Sequence, residues 1–206
     1  GEEGAGEGGA EEAGTVEGEF REVKPGRHQW ETNFVPDLLN FELPEWKERG
    51  AGGRNIMFTL ADSPLHVHLS EFPVGTYKKA HRHGPAFVII IPAGEGFSIM
   101  WEEGKEKVVI PWHEASLFVP PNRWFHQHFN LGKESARYLA FHPPVQFEGW
   151  AETVQDRLKD QIEFPDEDPF VRQTFEEELD KRGLKTLMPE QAYIDHDYQS
   201  DSVGGS

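Results

Sequence analysis

The sequence predicts an all-β fold with minor α content, an antiparallel sandwich or barrel of many short strands. Three observations carry this. Between Asn55 and Pro144 the chain is a series of short apolar or alternating runs: "NIMFTLA", "LHVHLSEF", "AFVIIIPA", "GFSIMW", "EKVVIPW", "ASLFVP", "WFHQHFN" and "ARYLAFH". Turn residues punctuate them, among them Asp62-Ser63-Pro64, Pro92-Ala93-Gly94, Glu103-Gly104-Lys105 and Leu131-Gly132-Lys133. Helical spacing sets in only after His142.

The elements follow in chain order. Residues 1–19, "GEEGAGEGGAEEAGTVEGE", hold too little apolar surface to offset ordering entropy and read as a disordered acidic tail. Residues 20–54 form an aromatic-rich arm, broken by Pro36 and Pro44, with no clean period. Residues 55–144 are the barrel. Residues 145–198 are a helical extension: Trp150, Val154 and Leu158 recur every four residues. In "DEDPFVRQTFEEELDKRG", Asp168 is the N-cap and Pro169 the first helical residue. Phe170, Phe175 and Leu179 make the inner face, and Gly183 is the stop. Residues 199–206 form a second disordered tail.

Composition narrows the function. A net charge of −17 argues against nucleic acid or an anionic membrane as partner. The absence of cysteine excludes disulfides, thiolate metal sites and a cysteine nucleophile. A reducing cytosol is the simplest compartment, so a cytoplasmic protein is expected. No apolar run approaches the ~20 residues of a membrane span, and no signal peptide is visible. The chain begins at Gly1 rather than Met, which leaves room for an upstream piece.

The histidines carry the chemistry. Strand side chains alternate faces, so His81 and His83 share one face and His126, His128 and Asn130 another. Two such strands side by side bring up to four imidazoles together. Imidazole suits zinc, copper, iron and nickel, with metal–nitrogen distances of about 2.0–2.1 Å for zinc. Strand histidines hydrogen-bonded to backbone or carboxylates are the competing reading. His66 and His68 read as a structural or surface strand pair, and His113 as a turn residue.

"GTYKKAHRHGPAFVIIIPAG" (Gly75 to Gly94) resembles the first motif of the cupin superfamily, with Gly75, His81, His83 and Gly94 in place. "PNRWFHQHFN" resembles the second, with Pro121, His126 and Asn130 in place and Arg123 where glycine is usual. The resemblance implies a double-stranded β-helix, or jelly-roll cupin barrel, in which His81, His83 and His126 bind one divalent transition metal. Fe(II) is favoured, with Mn, Ni, Cu or Zn as alternatives. The motif's glutamate ligand should stand at position 87, where this chain has Phe87, and residues 84–93 contain no Asp or Glu. Some cupins use three histidines, thiol dioxygenases and a β-diketone dioxygenase among them. A metal-free cupin whose histidines are packing remnants is the other outcome.

Three neutral ligands leave the metal's full charge and an open side, which suits a small anionic, chelating substrate and O₂. The expectation is therefore a dioxygenase. A redox-neutral lyase, isomerase or decarboxylase is the alternative, and a non-enzymatic small-molecule binder the third reading. Tyr77 and His128 are the candidate catalytic groups. Phe87, Phe97, Trp101 and Arg123 are the candidate substrate contacts. Exposed aromatics on the arm and on the segment from Trp150 to Phe164 lead to an expected homodimer.

Overall fold

Alternation on nearly every strand gives each sheet one face for the barrel interior and one for an outer layer. The structure, a computed structural model, describes residues 18–24, 26–61, 63–143 and 158–198. Both expected tails, apart from Gly18 and Glu19, and the Trp150–Val154 repeat lie outside the described residues.

Twelve strands run in order: β1 (Glu19–Lys24), β2 (Arg27–Thr32), β3 (Arg54–Leu60), β4 (His66–Phe72), β5 (Ala80–His81), β6 (Val88–Ala93), β7 (Glu95–Trp101), β8 (Val108–His113), β9 (Leu117–Phe118), β10 (Phe125–Asn130), β11 (Ala136–His142) and β12 (Gln161–Ile162). They form a seven-stranded sheet, β1-β2-β3-β4-β11-β6-β9, and a five-stranded sheet, β12-β5-β10-β7-β8. This is the jelly-roll arrangement expected. The arm contributes more than expected. Its first half supplies β1 and β2, and β2 pairs in parallel with β3, extending the barrel sheet.

Between the sheets lie Phe72, Phe87, Ile89, Ile91, Trp112, Ala136, Tyr138 and Ala140. Odd positions of β11, such as Leu139 and Phe141, point outward, where the arm covers them with Trp30, Val35, Leu38 and Phe41. The arm thus packs on its own barrel.

The outer face of the five-stranded sheet carries Phe97, Ile99, Trp101, Phe125 and Phe129. The helix α1 (Pro169–Asp180) covers it. Asp168 caps α1 by accepting from the Phe170 amide at 2.9 Å, and Pro169 starts it. The inner face is Val171, Phe175 and Leu179, rather than one beginning at Phe170, which is 42% exposed. A four-residue repeat from Phe175 and Leu179 falls back on Val171, so burial follows that period.

Phe175 is fully buried and packs against Tyr77 at 5.0 Å and Phe129 at 5.5 Å between ring centroids. Phe175→Ala should lower unfolding free energy by about 3–5 kcal/mol. Urea denaturation followed by tryptophan fluorescence measures it; a loss below ~1 kcal/mol would mean the helix only rests on the sheet.

Candidate metal centre

The two motifs meet at one register. β5 and β10 pair antiparallel with His126 opposite His81. His83, one residue beyond β5, joins them: ring centroids lie 4.4 Å apart for His81–His126, 5.0 Å for His83–His126 and 5.6 Å for His81–His83. One ring nitrogen from each of the three falls within 4.8 Å of the others.

The backbone sets their tautomers. His81 Nδ1 lies 3.2 Å from the Lys79 carbonyl, and His126 Nδ1 lies 3.1 Å from the Trp124 carbonyl. A carbonyl only accepts, so each Nδ1 carries the proton and each neutral ring leaves Nε2 as a bare lone pair. His126 Nε2 is buried and has no hydrogen-bond partner. A buried acceptor without a partner is costly unless something is meant to meet it. Burial holds His81 and His83 well below the ordinary histidine range. It pushes His126 down to about 4, against the lift from the Trp124 carbonyl. All three are therefore neutral at pH 7, the state a metal requires.

The motif glycines have geometric reasons. Gly75 has φ +64, and a Cβ there would lie 3.0 Å from the Leu187 amide and the Lys185 carbonyl. Gly94 has φ +99, and its Cβ would fall 2.8 Å from the Ala136 Cα. Arg123, where the second motif has glycine, keeps the left-handed backbone at φ +63. Asn130 ties β10 to β4 and to the turn before β11, donating to Glu134 and Phe72 carbonyls and accepting from the Gly132 amide.

The fold is that of a cupin.

No family model matches the chain, and no curated protein matches it. Solved structures of similar fold include an oxalate decarboxylase variant of Bacillus subtilis. It is 15% identical with a TM-score of 0.42, over 52% of this chain and 30% of that one. The Cnp3 cupin domain of Schizosaccharomyces pombe is 14% identical with a TM-score of 0.44, over 61% and 79%. A cupin 2 conserved barrel domain protein of Rhodopseudomonas palustris is 16% identical with a TM-score of 0.39, over 49% and 66%. This chain thus spans less than a third of the oxalate decarboxylase.

The other expected site residues divide by strand parity. Phe87 walls the three-histidine cluster, its ring 4.7 Å from both His83 and His142 and 5.5 Å from His126. His128 faces the same interior, with its ring 5.8 Å from His126 and Nδ1 2.7 Å from Ser98 Oγ. Three placements correct the sequence reading. Tyr77, Phe97 and Trp101 lie in the outer layer under α1, stacked on Phe129 or Phe125. On β7 the even positions face the barrel, so odd-numbered Phe97 and Trp101 cannot. The Tyr77 hydroxyl donates instead to Glu167 at 2.7 Å. Arg123 is at the rim, but its guanidinium is paired with Asp160 at 3.2 Å.

Sequence reasoning passed over several interior groups. His142 Nε2 and His68 Nδ1 are 2.6 Å apart, and the His142 ring lies 6.0 Å from His83. Lys78, Arg27 and Arg49 are buried charged residues. Arg49 depresses His81, His83 and His126, so its charge is felt at the site. The parity of β11, where Tyr138 and His142 alternate with outward Leu139 and Phe141, was the signal for His142.

Behind β10, the strand that carries His126, Glu167 accepts from Tyr77 and from Gln127 Nε2, both at 2.7 Å. Burial pushes its carboxyl up to about 8 despite these bonds. The folded state therefore holds a proton that the unfolded chain releases near 4.5. Stability from this group is full below pH ~4.5 and is lost as pH rises through about 8. Glu167→Gln mimics the protonated form. Its melting temperature should match the wild type near pH 5 and exceed it by roughly 3–8 °C at pH 9. Parallel melting curves for the two proteins across that range would contradict this.

Proposed function

We propose that this cupin is a mononuclear metal-dependent enzyme acting on a small, anionic, chelating organic substrate, and that the reaction is a dioxygenation. The observation carrying it is the donor set: three neutral imidazoles, two with Nδ1 tied to backbone carbonyls, converging without a carboxylate. The unpartnered Nε2 of His126 fits a metal better than a packing remnant. His81, His83 and His126 would hold it; Fe(II) is our choice, with Mn, Ni, Cu or Zn as other occupants. When bound, such an ion polarises a chelated substrate oxygen and, as iron, supplies one-electron chemistry towards O₂.

The chain's own residues do the rest. Buried Arg27 and Arg49 set a positive field that draws an anion inward. Phe87 closes one wall and excludes water. Ser98 accepts from the Trp112 indole at 3.0 Å, which leaves its hydroxyl to donate to His128 Nδ1. His128 then carries its proton on Nε2 and is the group placed to pass one to the substrate. That proton also supports the redox-neutral reading, a lyase, isomerase or decarboxylase.

Oxygen uptake by the iron-loaded protein with 1,3-dicarbonyl, catechol or thiol substrates tests the proposal. Turnover without oxygen consumption favours the redox-neutral reading, and failure to retain any transition metal overturns both. A homodimer belongs to the same proposal, supported by Phe20, Phe34 and Leu39, each over half exposed. Sedimentation showing only the 23.5 kDa species would oppose it.

A further inference from the structure

Lys78 stands apart among the interior charges. It is 1% exposed, and its ammonium nitrogen has no hydrogen-bond partner. That nitrogen lies 5.1 Å from the centre of the Tyr138 ring and 5.6 Å from that of Phe72. The two rings lie within cation–π range but accept no hydrogen bond from it. Arg49 opposes its charge, and Glu71, a carboxylate that favours it, is already held by Arg137 at 2.6 Å. His68 and His128 face it from β4 and β10 and are themselves held neutral by burial.

The amine also connects to the metal centre. The Tyr138 ring lies 4.8 Å from His128, whose ring is 5.8 Å from His126. On the other side Tyr138 lies 5.6 Å from His68, whose Nε2 is a second buried atom without a partner. The unpartnered nitrogens of His126, His68 and Lys78 are thus linked through the rings of Tyr138 and His128. A buried amine with no hydrogen-bond partner calls for an anion when charged.

We propose that Lys78 receives one acidic group of the ligand, and that the substrate is a small dianion such as a dicarboxylate, its second acidic group chelating at the three histidines. The chelating half rests on the proposed metal function; the Lys78 half stands without it.

Burial and Arg49 lower the Lys78 amine to about 7, so much of it is neutral just above neutral pH. An anion placed beside it restores the charge, and binding must then take up a proton from solution. Calorimetric titration of chelator-treated protein with malonate and succinate, at pH 7.5 in two buffers of different ionisation enthalpy, measures this directly. The expected result is binding with uptake of most of a proton per ligand, and none with dimethyl malonate. Lys78→Met, an apolar chain between Phe72 and Tyr138, should abolish the uptake and weaken binding roughly ten- to a hundredfold. Binding without uptake by the wild type, no binding at all, or unchanged uptake in Lys78→Met would each overturn the assignment. The wild-type arm needs no variant to fold. Loss of metal retention with uptake intact would instead remove the metal function and leave Lys78 as an anion site.

Discussion

Replacing His126 with alanine should abolish metal binding at the three histidines. His126 sits at the centre of the cluster, 4.4 Å from His81 and 5.0 Å from His83 between centroids, so its loss leaves two neutral imidazoles and no carboxylate. Two such ligands hold a divalent ion poorly, and we expect apparent affinity to fall by at least about a hundredfold. Elemental analysis after gel filtration reads the effect. The metal-free protein should fold as before, because the variant deletes an unpartnered buried nitrogen along with the ring's packing. Full metal occupancy in His126→Ala would move the ion to another ligand set and sink the centre described here.

Phe87→Glu should reverse the balance between stability and metal binding. The Phe87 ring is 4% exposed and lies against His83 and His142. Removing it costs about 3–5 kcal/mol, and a buried carboxylate adds to that cost. The metal-free variant should therefore melt well below the wild type. Added metal should restore much of the loss, because a carboxylate at this position faces the three imidazoles and brings charge to the ion. Activity on an anionic substrate should fall, since the open side is filled and the ion partly neutralised. Higher turnover in Phe87→Glu would mean that the substrate is neutral and that the missing glutamate has been misread. If only the variant, and not the wild type, retains metal, the wild-type barrel is a decayed site.

The histidine cluster was legible because His81 and His126 sit on short strands whose parity can be counted, with His83 two residues on from His81, within two spaced motifs. The same parity, applied to "EGFSIMW", would have sent Phe97 and Trp101 to the outer face; their bulk suited a pocket wall equally well, and composition cannot choose. Tyr77 precedes β5 without regular alternation, so nothing local revealed its turn towards Glu167, which is 90 residues away in sequence. Lys78 illustrates the limit most sharply. "YKKAH" reads as surface, and only the closure of two sheets buries one lysine beneath Phe72 and Tyr138 while its neighbour Lys79 pairs with Glu163. Likewise β12 returns from the extension to lie beside His81, a pairing between distant segments that no local pattern encodes.

The strand β10 has a consequence for timescales. It lies between β5 and β7, all six of its residues are buried, and layers of side chains cover both faces. Its amide hydrogens can exchange with deuterium only when the whole barrel opens, so they should be among the slowest in the molecule. An ion at the imidazoles needs no such opening. Of the three imidazoles only His83, just beyond β5, is not fully buried. Release of an ion bound there and isotope exchange at His126 would therefore run on separate clocks, the site being emptied and refilled many times before the strand that carries His126 opens once.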